Sequence, residues 1–237
     1  LNFKNQIILA KLVLYHYPTS PFSRKVRILL AEKGIEFTLK QENFWERRRM
    51  FLALNPAAQV PVLQEFDVNN KQTYLVSDSV AICEYLEERY NGISFIGDDI
   101  FERAEARRLS GWFNNKFYYE VTKLIVDEKI YKFLRNQGEP NSNCIRAAKT
   151  NIKDHLDYIS FLLRSRKWLA GEKFTIADIT AASQLSVLDF LGDVDWERNP
   201  DVKEWYCLIK SRPSFRQLFD DVIPGFEPSK YYKSLDF

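Results

Sequence analysis

A serine lies between an apolar run and a helical pattern in this 237-residue chain, and the chemistry starts there. Thr19-Ser20-Pro21-Phe22-Ser23-Arg24-Lys25-Val26-Arg27 follows Leu12-Val13-Leu14-Tyr15 and leads into Ile28, Leu29, Leu30 and Ala31. Ser20 is a good N-cap, and Pro21 suits the first helical position, where its missing N–H costs nothing. The hydroxyl therefore sits beside backbone N–H groups that have no partner within the helix. Capping alone accounts for Ser20 on local grammar. Ser23 is the second serine, one turn on, where a hydroxyl more often faces backbone or water. Arg24 and Lys25 would add positive potential, with solvated surface charge as the default reading.

Other reactive constellations are scarce. Cys83, Cys144 and Cys207 are far apart and form no Cys-x-x-Cys pair, so neither a disulfide framework nor a zinc site is supported. His16 and His155 are isolated and read as structural, so no metal is expected. A net charge of +2 does not point to nucleic acid or membrane, and no run of about eighteen apolar residues suggests a spanning helix. The first ten residues do not read as a secretory signal, and the cysteine usage fits a reducing cytoplasm.

The elements that must position Ser20 alternate at first. Leu12–Tyr15 reads as a strand, extended by Ile7-Ile8-Leu9, and residues 24–33 read as a helix stopped by Gly34. Phe37-Thr38-Leu39 is a second strand and residues 45–52 a short helix ending before Asn55-Pro56. Val60-Pro61-Val62-Leu63 and Tyr74-Leu75-Val76 read as a hairpin turned at Asn69-Asn70. Pro61 fits an edge, a turn or a cis bond at a strand's start, because it cannot donate to a ladder. Ser77-Asp78-Ser79 caps a helix through Val80, Ile82, Cys83 and Leu86. This is a compact α/β unit with a mixed sheet.

After Tyr90-Asn91-Gly92 the texture is helical throughout. Leu109, Trp112, Phe113, Phe117, Val121, Leu124 and Ile125 keep three-and-four spacing in a helix from Glu102 to about Leu134. A second helix carries Ile145, Ala148, Ile152, Leu156, Ile159 and Leu163 on one face. Thr175 with Asp178 three residues on forms a capping box, and Phe174 against Ile179 a hydrophobic staple. Helices at 202–209 and after Arg212-Pro213-Ser214 follow. The expected domains are 1–92, α/β, and 98–222, all-helical, followed by an aromatic tail, 223–237.

Four motifs in this order carry a resemblance: Ser-Pro-Phe-Ser after the first strand, Asn-Pro-x-x-x-Val-Pro-x-Leu, Asp-Ser before the last helix of the first half, and Phe-Thr-Ile-Ala-Asp with Ser-Arg-Pro-Ser-Phe in the second. Residues 11–220 resemble glutathione transferases, with a thioredoxin-like first domain of mixed sheet flanked by helices on both faces and an all-α second domain. The resemblance implies a homodimer and glutathione as substrate. It places Ser20 at the catalytic hydroxyl of serine-type enzymes, donating to the glutathione thiolate rather than attacking. Val60, before a cis Pro61, would pair through its backbone with the cysteinyl part like an added strand, and Gln59 would help position the tripeptide. Asp78 would meet the γ-glutamyl ammonium, while Ser79 and the helix N-terminus would donate to its carboxylate. Tyr118 or Tyr119 would line a pocket for the small electrophile between the domains. Serine at position 20 argues against the thiol exchange of cysteine-bearing relatives. Two positions depart from the family pattern: Asp78 stands where Glu or Gln is common, and Ala58 replaces a common glycine.

A narrower resemblance rests on Trp112-Phe113-Asn114-Asn115-Lys116-Phe117, on Leu191-Gly192-Asp193-Val194-Asp195-Trp196 and on the tail from Ile223 to Phe237. It is to bacterial transferase-like proteins that bind the division protein FtsZ. That implies a scaffold on the same fold, contacting filaments through the tail or through Trp45-Glu46-Arg47-Arg48-Arg49. The alternative for the tail is an aromatic strap on its own domain.

Overall fold

The computed structural model describes residues 10–68 and 71–235. The Ile7-Ile8-Leu9 extension and the Asn69-Asn70 turn lie outside the described residues. The chain divides into two compact units between Asn91 and Gly92.

The first unit runs β1 (Ala10–His16), α1 (Pro21–Glu32), β2 (Thr38–Gln41), a 3-10 turn at Phe44–Glu46, α2 (Arg49–Leu52), β3 (Val62–Asp67), β4 (Gln72–Ser77) and α3 (Ser79–Arg89). The strands form a mixed sheet in the order β2-β1-β3-β4, with β1 and β2 parallel and the other pairs antiparallel. The register opposes Leu14 to Leu63 and Leu12 to Glu65, so these residues share one face, while Tyr15, opposite Val62, lies on the other. α3 covers the first face. Its Tyr85 and the following Tyr90 each donate a hydroxyl to Glu65 at 2.9 Å. Arg89 bridges Glu65 at 3.1 Å and Asp67 at 2.8 Å, which lets both carboxylates be buried. Phe51 of α2 meets Tyr15 on the opposite face, with ring centroids 6.1 Å apart. α1 packs on α3, and a buried Lys33–Glu87 pair at 3.2 Å joins them. The expected thioredoxin-like layering, helices on both faces of a mixed sheet, is what the chain forms.

The second unit is helical. α4 (Ile100–Trp112), π-helical turns at Phe113–Thr122, α5 (Lys123–Val126), further π turns at Asp127–Tyr131 and α6 (Lys132–Leu134) make one unbroken helical run. Phe113, Phe117, Val121 and Ile125 recur every fourth residue, and all are fully buried. A spacing of four drifts around an ideal α-helix by about 40° per step. The wider π turns take up that drift and hold the stripe against the core. α7 (Ser142–Leu163) follows, then α8 (Ile176–Phe190), α9 (Pro200–Lys210) and α10 (Pro213–Arg216). All fifteen residues of α8 are buried, so it is the core element of the unit. Its hydroxyls are satisfied within it: Thr180 and Ser183 donate one turn back, each at 2.6 Å. The Thr175–Asp178 capping box forms as expected. Phe174 packs its ring on Phe95 and Trp168. No helix among the described residues is long and apolar enough to cross a membrane.

Candidate functional site

Register brings the first unit's candidate residues to one end of the sheet. Tyr15 of β1 pairs with Val62 of β3, and Val62 pairs with Ser77 of β4, so these three lie in one row. Adjacent strands are about 4.8 Å apart. The loop to Ser20, the Val60-Pro61 segment and the Asp78-Ser79 turn therefore leave the sheet side by side.

Ser20 is the N-cap of α1 and accepts the Ser23 backbone N–H at 3.2 Å, while its own N–H donates to the Tyr17 carbonyl at 3.0 Å. That engages the Ser20 hydroxyl oxygen as an acceptor and leaves its proton for another group. Ser23 is fully buried and takes the Tyr17 N–H at 3.5 Å, a structural role. Arg24 and Lys25 depart from the solvated expectation, since both are buried. The Arg24 Nε donates to the Pro18 carbonyl at 2.7 Å and so fixes the loop ahead of Ser20. Burial pulls the Lys25 ammonium below the usual lysine range, while Cys83 and Asp78 favour its charge. The i, i+3, i+4 pattern of α1 gave these cations no hydrophilic face, because nearly the whole helix is covered.

Val60 precedes a cis peptide bond to Pro61. Asn55 shapes this loop: its side-chain oxygen accepts from Ala57 N at 3.1 Å, its amide donates to the Gln59 carbonyl at 2.9 Å, and its carbonyl accepts from Ala58 N at 3.0 Å. Ala58 is held at φ +53, a region where glycine has no steric cost. Gln59 is exposed. The Val60 N–H and C=O, just ahead of β3, make no hydrogen bond among the described residues and are open to pair with an added backbone.

Asp78 is the N-cap of α3 at φ +76, accepting from Val80 N at 2.7 Å and Ala81 N at 3.2 Å through one oxygen. The second carboxylate oxygen accepts no hydrogen bond among the described residues, and the N–H and hydroxyl of Ser79 donate none. Acceptor and donors thus stand in adjacent residues at one helix N-terminus, the arrangement that holds an ammonium and a carboxylate on one carbon.

Sequence reasoning passed over the aromatic wall beside Ser20. Tyr17 is buried, with its hydroxyl pushed up to about 12 by burial, and it meets Trp45 edge-on at 4.8 Å. Phe44 joins Trp45 at 5.2 Å. A Trp in an otherwise polar stretch was the available signal. His16 is buried and kept neutral, its pKa pulled down to about 3 by burial and by Arg27 and Arg24. Arg47, Arg48 and Arg49 are all exposed, and Arg48 pairs with the buried Glu42, which leaves Arg47 and Arg49 as the cations of that segment without an ion pair among the described residues.

In the second unit Tyr118 is half-buried, with its hydroxyl raised to about 12, and its ring lies 5.3 Å from that of the exposed Tyr119. The tail is a strap. Ser229 donates to Phe190 O and Asp189 O, the Tyr232 ring packs on Phe190 and Phe219, and Lys210 donates to Tyr231 O at 3.1 Å. Lys210 is itself buried against Asp189 at 3.1 Å. No cluster of three or more His, Cys, Asp or Glu set to hold a metal occurs among the described residues.

Residues 14–94 match the glutathione S-transferase N-terminal domain and residues 122–213 match the C-terminal domain. FtsZ-localized protein A of Caulobacter vibrioides is 41% identical over 224 residues, which cover 94% of this chain and 97% of that protein. The chain belongs to the glutathione S-transferase family. Among solved family structures, a glutathione S-transferase from Rhodospirillum rubrum F11 is 47% identical with a TM-score of 0.91, covering 95% of this chain and all of that one. FzlA from C. crescentus is 40% identical with a TM-score of 0.92, covering 96% of this chain and all of that one. The expected likeness to a division-protein branch of the family is therefore met over nearly the whole length.

Proposed function

We propose that this member of the glutathione S-transferase family is a scaffold that binds FtsZ filaments. The observation that carries this reading is the 41% identity with FtsZ-localized protein A, which runs through both units. Fold alone does not fix function, so the contact surface has to be named. The Phe44–Glu46 turn, pinned by Trp45 on Tyr17, presents Arg47 and Arg49 to solvent on a fixed base. The protein acts in the cytoplasm, as a homodimer. Co-sedimentation with FtsZ filaments tests the contact. The protein pellets with filaments, and Arg47→Glu/Arg49→Glu reduces pelleting several-fold; a wild-type protein left in the supernatant removes the reading.

A second reading is favoured by the open groups at the sheet end. Glutathione would pair its cysteinyl backbone with Val60, its γ-glutamyl ammonium with Asp78 and its carboxylate with Ser79, with Gln59 beside the tripeptide. Its thiol, with a pKa of about 8.5, is mostly protonated at neutral pH, and only the thiolate attacks. The Ser20 proton, left by the capping geometry, would donate to sulfur. Each unit by which the thiol pKa falls corresponds to about 1.4 kcal/mol. The thiolate then bonds to the electrophilic carbon, displacing its leaving group or adding to its double bond, with Tyr118 or Tyr119 against the electrophile. Calorimetric titration with glutathione gives micromolar to low-millimolar affinity on this reading, and conjugation falls tenfold or more in Ser20→Ala. Unchanged conjugation in that variant sinks the role of Ser20.

A further inference from the structure

The second unit holds a cavity of about 390 Å³ that neither reading uses. Arg146, Lys149 and Lys153 line it from α7, and Asp193, Asp195 and Arg198 from the loop after α8. Ile152 and Leu156, both buried, with Val194, give it an apolar floor. Its volume is that of a small-molecule site.

The charges are unevenly engaged. Asp193, its side chain almost wholly buried, is shared by Lys129 at 2.7 Å and Lys149 at 3.1 Å. Arg198 pairs with Asp157 at 2.7 Å. Arg146 and Lys153, seven residues apart and so on one face of α7, have no ion pair among the described residues. Two cations answer the single charge of Asp193, so Lys149 keeps positive potential toward the cavity. The backbone N–H groups of Val194 and Asp195 also lack an acceptor among the described residues. Against these donors stands the Asp195 carboxylate, exposed and without an ion pair.

We propose that this cavity is an anion site for a diphosphate group carried on an apolar or aromatic body. Arg146 takes two oxygens through its planar fork, and Lys149 and Lys153 supply point charges. A single carboxylate would leave at least one of the three cations unanswered, whereas a diphosphate engages all of them. Asp195 repels the anion and, in a nucleoside diphosphate, accepts a ribose hydroxyl instead.

Pyrophosphate and ADP, titrated calorimetrically into the full chain at low salt, test the site. Saturable binding at Kd below about 1 mM is expected, weakened tenfold or more in Arg146→Ala/Lys153→Ala. Asp195→Asn tightens pyrophosphate several-fold. Both cations are exposed, so the double variant keeps its circular dichroism and melting temperature. Lys173→Ala, on a separate surface pair with Asp98, and Ser20→Ala leave binding unchanged, which separates this site from general surface charge and from the first unit. ADP binding more tightly than pyrophosphate supports a carried, nucleoside-like body, and pyrophosphate binding more tightly than ADP overturns that part of the proposal. Binding that survives the double variant, or its absence from the wild type, overturns the proposal.

Discussion

Two helix N-termini built from the same grammar end in opposite states. At α8, Asp178 is fully buried and accepts from Leu169 N at 2.9 Å, Thr175 N at 3.0 Å, Thr175 Oγ1 at 3.3 Å and Trp205 Nε1 at 3.0 Å. At α3, the exposed Asp78 accepts two N–H groups through one oxygen and leaves the other, with Ser79, uncommitted. A cap whose every oxygen is engaged locks the core. A cap with groups left over can hold a ligand. Both ends use an aspartate, at N3 behind the Thr175 cap of α8 and at the N-cap itself of α3, and the fold around each supplies a different number of donors.

Removing Asp178 should have the largest effect. Asp178→Ala strands several buried donors and should cost about 3 kcal/mol or more, read as a fall in the denaturant midpoint. The equivalent change at Asp78 removes only an exposed cap, at about 1 kcal/mol. Equal losses at the two positions would erase the contrast.

Titration sharpens it with sign. His16 has a folded pKa of about 3 against 6.5 unfolded, so the unfolded chain binds the proton more tightly. The stability it contributes is present above pH 6.5 and is lost as pH falls toward 3. Asp178 has a folded pKa raised by burial to about 6, against 3.8 unfolded, so acidification through that window favours the fold. Between pH 7 and 5 the wild type should lose about 2 kcal/mol relative to His16→Gln, because each pH unit below 6.5 costs about 1.4 kcal/mol. Parallel pH profiles for the two proteins, followed by urea denaturation, would refute the assignment.

Much of this was legible in the sequence. Ser20, Asp78 and Thr175 announced their helices, because a short polar side chain ahead of an apolar period has one economical use. Val60-Pro61 and Asn55-Pro56 marked the loop that approaches the sheet end. Burial of cations was not legible. Arg24 and Lys25 look like surface residues until the tertiary fold covers α1 and aims the Arg24 guanidinium at the Pro18 carbonyl. The π turns were hidden as well, since a stripe spaced by four reads as an ordinary amphipathic helix. The tail's aromatic content showed that something would be covered, and only the structure shows Tyr232 against Phe190 and Phe219.

At Ser20 the comparison between caps predicts a smaller stability change. Ser20→Ala removes one acceptor for Ser23 N and should lower stability by about 1 kcal/mol, as other N-cap deletions do. A loss approaching that of Asp178→Ala would make Ser20 a core lock, with no proton to offer a thiol.

Ala58 gives the smallest effect, and its sign is the informative part. At φ +53 its Cβ is strained against the backbone by roughly 1–2 kcal/mol, which glycine would relieve. Glycine also gains freedom in the unfolded chain, returning roughly 0.4–1 kcal/mol of that benefit. Ala58→Gly should therefore raise stability by about 0.5 kcal/mol, measured as a higher denaturant midpoint with unchanged slope. A destabilised variant would mean that the Ala58 methyl, which is buried, makes contacts worth more than the strain. If the variant is both more stable and tighter toward glutathione, the methyl stands between this loop and a bound tripeptide. A more stable variant with no such gain leaves Ala58 as local strain tolerated beside the Val60 edge.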